Sequence, residues 1–292
     1  MDLLERILIP VDFSERSYGA ARYVEALADQ HETEILIVHV TTPLNYELSA
    51  LDVGGTVLNE LNADRTAELE EQLEQFAAPE LTSYHVSRFL FEGDPARRIV
   101  EFAHEQSVKL IVMPTHGYGL FRRFLLGSVT AKVLHDAECP VWTGVHLDQS
   151  PAHDQIRFRK ILVGVDTVSV PQALKAISWA AQMAERQGAE MIIVHAYPSL
   201  EGRSGDYVDP NWHTVFTQSA RDEIMKMQQK LGTDAELIVE SGEPSQVVCD
   251  LAAERKADLL VIGRGSAAGV FGRLRANAYS IIRQSPCPVV SV

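Results

Sequence analysis

An apolar run, Leu110-Ile111-Val112-Met113, empties into Pro114-Thr115-His116-Gly117, and after nine further residues the chain reaches Gly127-Ser128-Val129-Thr130. Residue types at this spacing suit an anion. Glycines at 117, 119 and 127 let backbone amides approach a ligand with no Cβ in the way. Ser128 opens an amphipathic stretch through Val129, Val133, Leu134 and Ala137. The first N–H groups of that helix would point outward, with the positive end of its dipole behind them. The Ser128 hydroxyl adds a donor. Between Leu110 and His135 the only charged side chains are Arg122, Arg123 and Lys132. The same spacing also describes a glycine-rich turn with a serine cap, and both readings stand at this point. No GxxxxGK(S/T) loop occurs, which argues against a mainstream NTPase engine. His116 titrates near neutrality and would stand beside the anion, as a general acid or base or as a neutral donor. No sequence-adjacent carboxylate orients it, so it is taken as a donor and no catalytic residue is assigned.

The basic segment stands in an acidic chain: 26 Lys+Arg against 40 Asp+Glu over 292 residues, a formal charge of −14. With 46% hydrophobic and 23% charged residues the composition excludes a disordered or collagen-like chain. The acidic balance argues against direct nucleic-acid binding, which wants clustered Lys and Arg. No window reaches the ~18 apolar residues of a membrane span. MDLLER carries two acids and no basic start, so a secretory signal is not expected and a cytoplasmic location is. Cys139, Cys249 and Cys287 form no CxxC and no metal-ligand spacing, and are expected as small buried hydrophobes. No metal site is assigned to protein side chains.

The elements that position the loop occur twice. Arg6-Ile7-Leu8-Ile9-Pro10-Val11-Asp12 returns as Lys160-Ile161-Leu162-Val163-Gly164-Val165-Asp166, and Ile35–Val40 returns as Met191–Ala196. Gly93-Asp94-Pro95 matches Gly242-Glu243-Pro244, Leu110–Met113 matches Leu259–Ile262, and Cys-Pro-Val recurs at 139–141 and 287–289. The order is the same in both halves, so a duplication is inferred. The boundary is expected in the polar stretch His146–Arg157, giving domains 1–146 and 158–292 with residues 147–157 as linker. In the first half, Ile7–Val11, Ile35–Val40, Ser83–Phe91, Leu110–Met113 and Pro140–Gly144 are the strand candidates, four of them near-continuous β-formers. Helices are expected over Ser14–Gln30 with Ser14 as N-cap, along the stripe Leu58, Leu61, Leu69, Leu73 and Phe76, and from Asp94-Pro95. Glu68, Glu70, Glu71 and Glu74 are expected on a solvated face. Alternation of strand and helix predicts an α/β fold of two tandem doubly wound sandwiches, each a mostly parallel five-stranded sheet with helices on both faces. Ligands of such sheets sit at the carboxyl ends of the strands, so the loops after Val11, Val40 and Met113 are the places to look. Asp12, at a strand end, is expected either to position a metal through water or to cap the Ser14 helix. His39 and His195, ending equivalent strands, are expected as satisfied core or edge histidines.

With these residues the chain resembles a tandem member of the universal stress protein family, over residues 5–145 and 159–292. That family's nucleotide signature is Gly, two residues, Gly, nine residues, Gly and Ser/Thr. Gly117, Gly127 and Ser128 match it, while the first glycine is Pro114, which has no N–H to donate but fixes φ. The resemblance implies ATP with Mg²⁺ bound in the first half and a stress-response regulatory function. It places Asp12 and Val40 at the adenine and ribose end and His116, Gly117, Gly127, Ser128 and Val129 at the phosphates, with Pro10 and Met113 completing the contact set. In the second half the aligned positions are Gly263, Ser266, Ala276 and Asn277, a degenerate signature that implies a weakened, structural or sensory domain, with Asn277 as a candidate cap and Arg264, Arg273, Arg275 and Arg283 as a residual anion site or surface charge. A GxGxxA match at Gly263–Ala268 lacks the acid that a dinucleotide fingerprint needs about 20 residues on. The resemblance also implies pairing of the two halves through their last strands, at Pro140–Gly144 and Pro288–Val292, and allows a homodimer. The alternatives are a nucleotide-independent adaptor module and a slow ATPase.

Overall fold

The computed structural model describes residues 3–28, 32–42, 55–116, 126–144, 147, 150–199, 212–264 and 276–292, with backbone alone at 55–60 and 276. Two compact units divide the chain: Met1–Val141 with His146–Ile156, and Trp142–Val145 with Arg157–Val292.

In the first unit β1 (Arg6–Pro10), β2 (Glu34–Thr41), β3 (His85–Glu92) and β4 (Leu110–Pro114) lie in the order β3-β2-β1-β4, all parallel. Ile7 is level with Ile35 on one side and with Leu110 on the other. Ile7, Leu8, Ile9, Leu110, Ile111 and Val112 are fully buried. Continuous apolar runs therefore mark strands covered on both faces. Strand β5 (Val141–Gly144) completes the alternation of the first half.

Helix α1 (Glu15–Leu27) begins at Ser14, whose hydroxyl accepts from Ser17 N–H, and ends where Ala28 turns extended. Helix α2 (Gly55–Gln75) buries Leu73, with Phe76 buried just beyond it. Its expected apolar stripe is incomplete, because Leu61 is 46% exposed, and Glu68, Glu70, Glu71 and Glu74 face solvent. Helix α3 (Pro95–Glu105) starts with Pro in its first turn, and the Asp94 carboxylate accepts from Arg97 N–H at 2.7 Å. Helix α4 (Ser128–Asp136) follows β4.

The stretch expected as a linker packs on α1. Arg22 donates to the Ser150 carbonyl at 3.0 Å, and His153, in a single 3-10 turn (His153–Gln155), lies 3.1 Å from Glu25. Burial raises the Glu25 carboxyl above its ordinary range, and His153 opposes that shift. Contact here depends on a missing side chain: a Cβ on Gly19 would stand 2.0 Å from the Leu147 carbonyl oxygen.

The second unit repeats the plan. Strands β6 (Lys160–Gly164), β7 (Glu190–Tyr197), β8 (Glu236–Ser241), β9 (Leu259–Ile262) and β10 (Val289–Ser291) run parallel in the order β10-β9-β6-β7-β8. Helices α5 (Val170–Gln187), α6 (Trp212–Leu231), α7 (Pro244–Glu254) and α8 (Ala276–Gln284) alternate with them. Glu243 caps α7 as Asp94 caps α3, accepting from Ser245 N–H and the Ser245 hydroxyl at 2.7 Å each, and these bonds hold its carboxyl below the usual range. The glycine before each cap is required: Gly93 has φ 138° and Gly242 φ 156°. Cys249 and Cys287 are buried, and desolvation pushes their thiols up to about 11 and about 12, so neither is a ready nucleophile. No described helix is long and apolar enough to cross a membrane.

Gly19→Ala should lower unfolding free energy. The clash with Leu147 costs ~1–3 kcal/mol as overpacking, more than the ~1 kcal/mol that Ala gains over Gly in a helix. Urea denaturation measures it, and an unchanged midpoint would mean that the segment is not seated on α1.

Candidate functional site

In the first unit the chain winds from β1 outward to β2 and β3, then returns to place β4 on the other side of β1. Helices leave in opposite directions there, and a crevice opens at the carboxyl ends of β1 and β4. A cavity of about 330 Å³ fills it. Among the residues singled out in the sequence, Pro10, Asp12, Val40, Met113, His116, Gly127, Ser128 and Val129 line it together. Gly117 lies outside the described residues, as do Gly119, Arg122 and Arg123. Lys132 is turned elsewhere, its Nζ 3.2 Å from Asp94 on a mostly exposed surface, so it does not add its charge to the crevice.

On the β1 side the site is organised by Asp12. Its Oδ1 accepts from Ser14 N–H at 3.1 Å, from the Ser14 hydroxyl at 2.5 Å and from the Ser17 hydroxyl at 2.7 Å, while Asp12 N–H donates to the Ser17 oxygen at 3.2 Å. The carboxylate thus fixes the start of α1, the second of the two roles expected for it. Between Asp12 and Ser14 the backbone is forced: Phe13 has φ 61°, a left-handed conformation that a bulky residue adopts only when its surroundings demand it. Its ring packs on His39 with centroids 4.6 Å apart. His39 in turn places Nδ1 2.8 Å from the Val11 carbonyl oxygen. It is satisfied, as expected, and it also lines the cavity.

On the β4 side the loop is closed by two bonds. Gly127 N–H donates to the Thr115 carbonyl at 2.8 Å, and the Thr130 hydroxyl donates to the Pro114 carbonyl at 3.0 Å. A Cβ at 127 would sit 3.3 Å from the Thr115 oxygen, a tight contact that Thr115 would have to ease. Gly127 is also the N-cap of α4, so no side chain caps that helix. Ser128 and Val129, in its first turn, line the cavity, and the first N–H groups of a helix have no partner within it. His116 Nδ1 is 2.9 Å from the Thr115 hydroxyl, while Nε2 is buried with no hydrogen-bond partner among the described residues. Burial, and secondly the positive charge of Arg16, lower the His116 pKa. The imidazole is therefore neutral at pH 7. Arg16 brings a cation close to this end of the crevice from α1, and sequence reasoning had passed over it, as it had Ser17. Among the described residues no group of three His, Cys, Asp or Glu side chains could hold a metal ion.

The second unit has its own cavity, of about 260 Å³, at the equivalent ends of β6 and β9. Asp166 lines it but accepts from Val168 N–H at 2.9 Å, and Gln172 takes the place of Ser17. Arg264 lines it and is 4% exposed. Asn277, expected as a cap, stands inside α8, one residue past its first. Ser266, Arg273 and Arg275 lie outside the described residues. His195, like His39, bonds the preceding strand end, with Nδ1 2.9 Å from the Val165 carbonyl oxygen.

Comparison with known proteins agrees with this duplication. The model of the universal stress protein family matches residues 4–143 and again 157–292. A universal stress protein of Mycolicibacterium smegmatis is 28% identical over 295 residues, spanning 98% of this chain and 96% of that protein. A solved universal stress protein from Archaeoglobus fulgidus gives a TM-score of 0.71 at 22% identity, covering 99% of this chain and 98% of that one, which establishes the fold. Another solved family member, in complex with cAMP, is 28% identical over 47% of this chain and 97% of its own, with a TM-score of 0.34.

The lowered His116 pKa can be measured by NMR titration of its ring protons in the full chain. The midpoint should fall below the ~6.5 of an unperturbed histidine, and Arg16→Ala should raise it part of the way back. Stability contributed by the neutral ring is complete above the unfolded-state value and declines as pH falls from there through the lower folded value. A midpoint at or above 6.5 would contradict the buried neutral imidazole.

Proposed function

The chain belongs to the universal stress protein family along nearly its whole length, and from that premise we propose that it is a stress-response regulatory protein that binds ATP in its first half. One observation carries the reading: Ser128 and Val129, the first residues of α4 beyond a Gly127 cap that has no side chain, line the same crevice as Asp12 and Val40. The residues present fit the nucleotide. Gly127 leaves a space that a Cβ would fill, and His116 holds a buried ring nitrogen in need of a partner. Ser128 and Val129 N–H groups, the Ser128 hydroxyl and neutral His116 would hold phosphate oxygens, while Val40 and Met113 would cover the base. Asp12 would face the ribose end, pinned by Ser14 and Ser17 so that its orientation is set before ligand arrives. Pro114 has no N–H to donate, while its carbonyl accepts from the Thr130 hydroxyl and ties the end of β4 to α4. Mg²⁺ would arrive on the phosphates, since the described side chains offer no ligand cluster of their own. Bound ATP would supply a polyanion whose presence or absence the crevice can report.

Among the described residues His116 bonds the Thr115 hydroxyl and no carboxylate, which supports the reading of a site that holds a nucleotide. The second half, with its different polar set, is taken as structural or sensory.

Calorimetry of the full chain with ATP and Mg²⁺ tests this. One nucleotide per chain is expected, and Ser128→Ala should weaken binding by ~10-fold or more, the cost of a hydrogen bond to a charged group. Gly127→Ala should weaken it as well, by pushing on Thr115. Absence of micromolar binding would refute the reading, and two nucleotides per chain would refute the assignment of the second half.

A further inference from the structure

The chain that leads from the first unit to the second is fastened to α1 turn by turn. Gly19, Arg22 and Glu25 follow one another at intervals of three along the helix, and they meet Leu147, Ser150 and His153, which follow at the same interval. A Cβ on Gly19 would stand 2.0 Å from the Leu147 carbonyl oxygen and 2.8 Å from the Ser150 hydroxyl, so the first contact is backbone against backbone. Arg22 donates to the Ser150 carbonyl at 3.0 Å, and the Ser150 hydroxyl donates to the Leu147 carbonyl at 2.8 Å. Glu25 closes the row, with Oε1 3.1 Å from His153 Nδ1. Leu147 and Ile156, at the two ends, are buried, and the residue after Ile156 belongs to the second unit.

Of these three contacts only the last titrates near neutrality. The Glu25 side chain is 10% exposed against 51% for His153, and Glu25 Oε2 is buried with no hydrogen-bond partner among the described residues. Such a carboxylate is under-compensated, because a buried charge is costly unless it is both paired and hydrogen-bonded. The other groups around it do not help. Glu80, between α2 and β3, and Asp154, beside His153, are acidic, and Arg22 on the same helix is engaged with Ser150. The Tyr84 hydroxyl donates to the Glu25 main-chain carbonyl at 2.9 Å. Desolvation raises the carboxyl above its ordinary 4.5, His153 opposes that shift, and Glu80 and Asp154 add to it. A group shifted in this direction contributes stability that is complete below the ordinary value and is lost as pH rises through the raised one. Protonated His153 acts with the same sign, as a counter-charge that disappears on the alkaline side.

We propose that Glu25 and His153 form a pH-gated clasp, closed in mildly acidic solution and loosened as pH rises, which sets how much chain is free between the two units. Closed, it anchors the connection as far as Ile156. The clasp is independent of nucleotide binding in the first unit.

Amide hydrogen exchange of the full chain tests it, with rates divided by the intrinsic chemical rate at each pH. The reporting amides are those of Ser150, Gln155 and Ile156, which donate to Leu147, Ala152 and His153 within the segment, and the amides of β1 serve as reference. Protection of the segment relative to β1 should be at least ~3-fold higher at about pH 5 than at about pH 8. Glu25→Gln keeps the shape and removes the charge, and should bring that ratio close to one. His153→Gln, at a half-exposed position, should do the same, which keeps the test open if Glu25→Gln disturbs folding. Arg22→Ala should lower protection at both pH values and leave the ratio in place. Equal protection at the two pH values in the native chain, higher protection at the alkaline one, or a ratio that survives either Glu25→Gln or His153→Gln would overturn the proposal.

Discussion

Everything functional in each unit follows from one constraint of chain winding. Parallel strands must be joined by right-handed crossovers, so a sheet that grows first to one side of β1 and then to the other sends its helices to opposite faces. Residues at the carboxyl ends of β1 and β4, which lie side by side where the winding reverses, line the cavity. The same reversal at β6 and β9 makes the second one. Buried apolar strands supply the stability, and their continuous Ile, Leu and Val runs leave polar chemistry only to the loops at their ends.

Around the first crevice the loops are held from both sides by short, local bonds. On one side the Asp12 carboxylate gathers Ser14 and Ser17, and Phe13 accepts a left-handed backbone between them. On the other, Gly127 and Thr130 tie α4 back to the carbonyls of Thr115 and Pro114. The conformational cost at Phe13 is met by its packing on His39, whose own ring is fixed to the Val11 carbonyl. Rigid walls of this kind lower the ordering cost of binding. Duplication allowed the second copy to depart: Gln172 for Ser17, Ala196 for Val40 and Arg264 for Thr115 change the polarity and shape of a cavity whose frame is unchanged.

Much of this was written locally and so could be seen in the sequence. Ser14 caps α1, and Asp94-Pro95 and Glu243-Pro244 open equivalent helices, because capping is decided within four residues. Strand positions followed from apolar runs, with ends displaced by up to two residues, as at Ser83–Phe91, where the strand begins only at His85. Leu61 did not join the buried stripe of α2, since periodicity names a face and not what covers it. Lys132 counted toward the positive charge of the segment, but Asp94, the cap of α3, lies within reach and takes it.

By itself, then, the sequence determined the duplication, the α/β alternation and the strand-end loops where polar residues could gather, since each depends on neighbours in the chain. Only the tertiary structure decided which loops share a cavity. Pro10, Asp12 and Val40 meet Met113, His116, Gly127, Ser128 and Val129 because the winding reverses at β1. It alone put His39 on the cavity wall, and it alone brought in Ser17 and the charge of Arg16, whose spacing carried no signal. It alone showed Arg264 buried against the second cavity, since whether an arginine solvates a surface or lines a pocket depends on what folds over it.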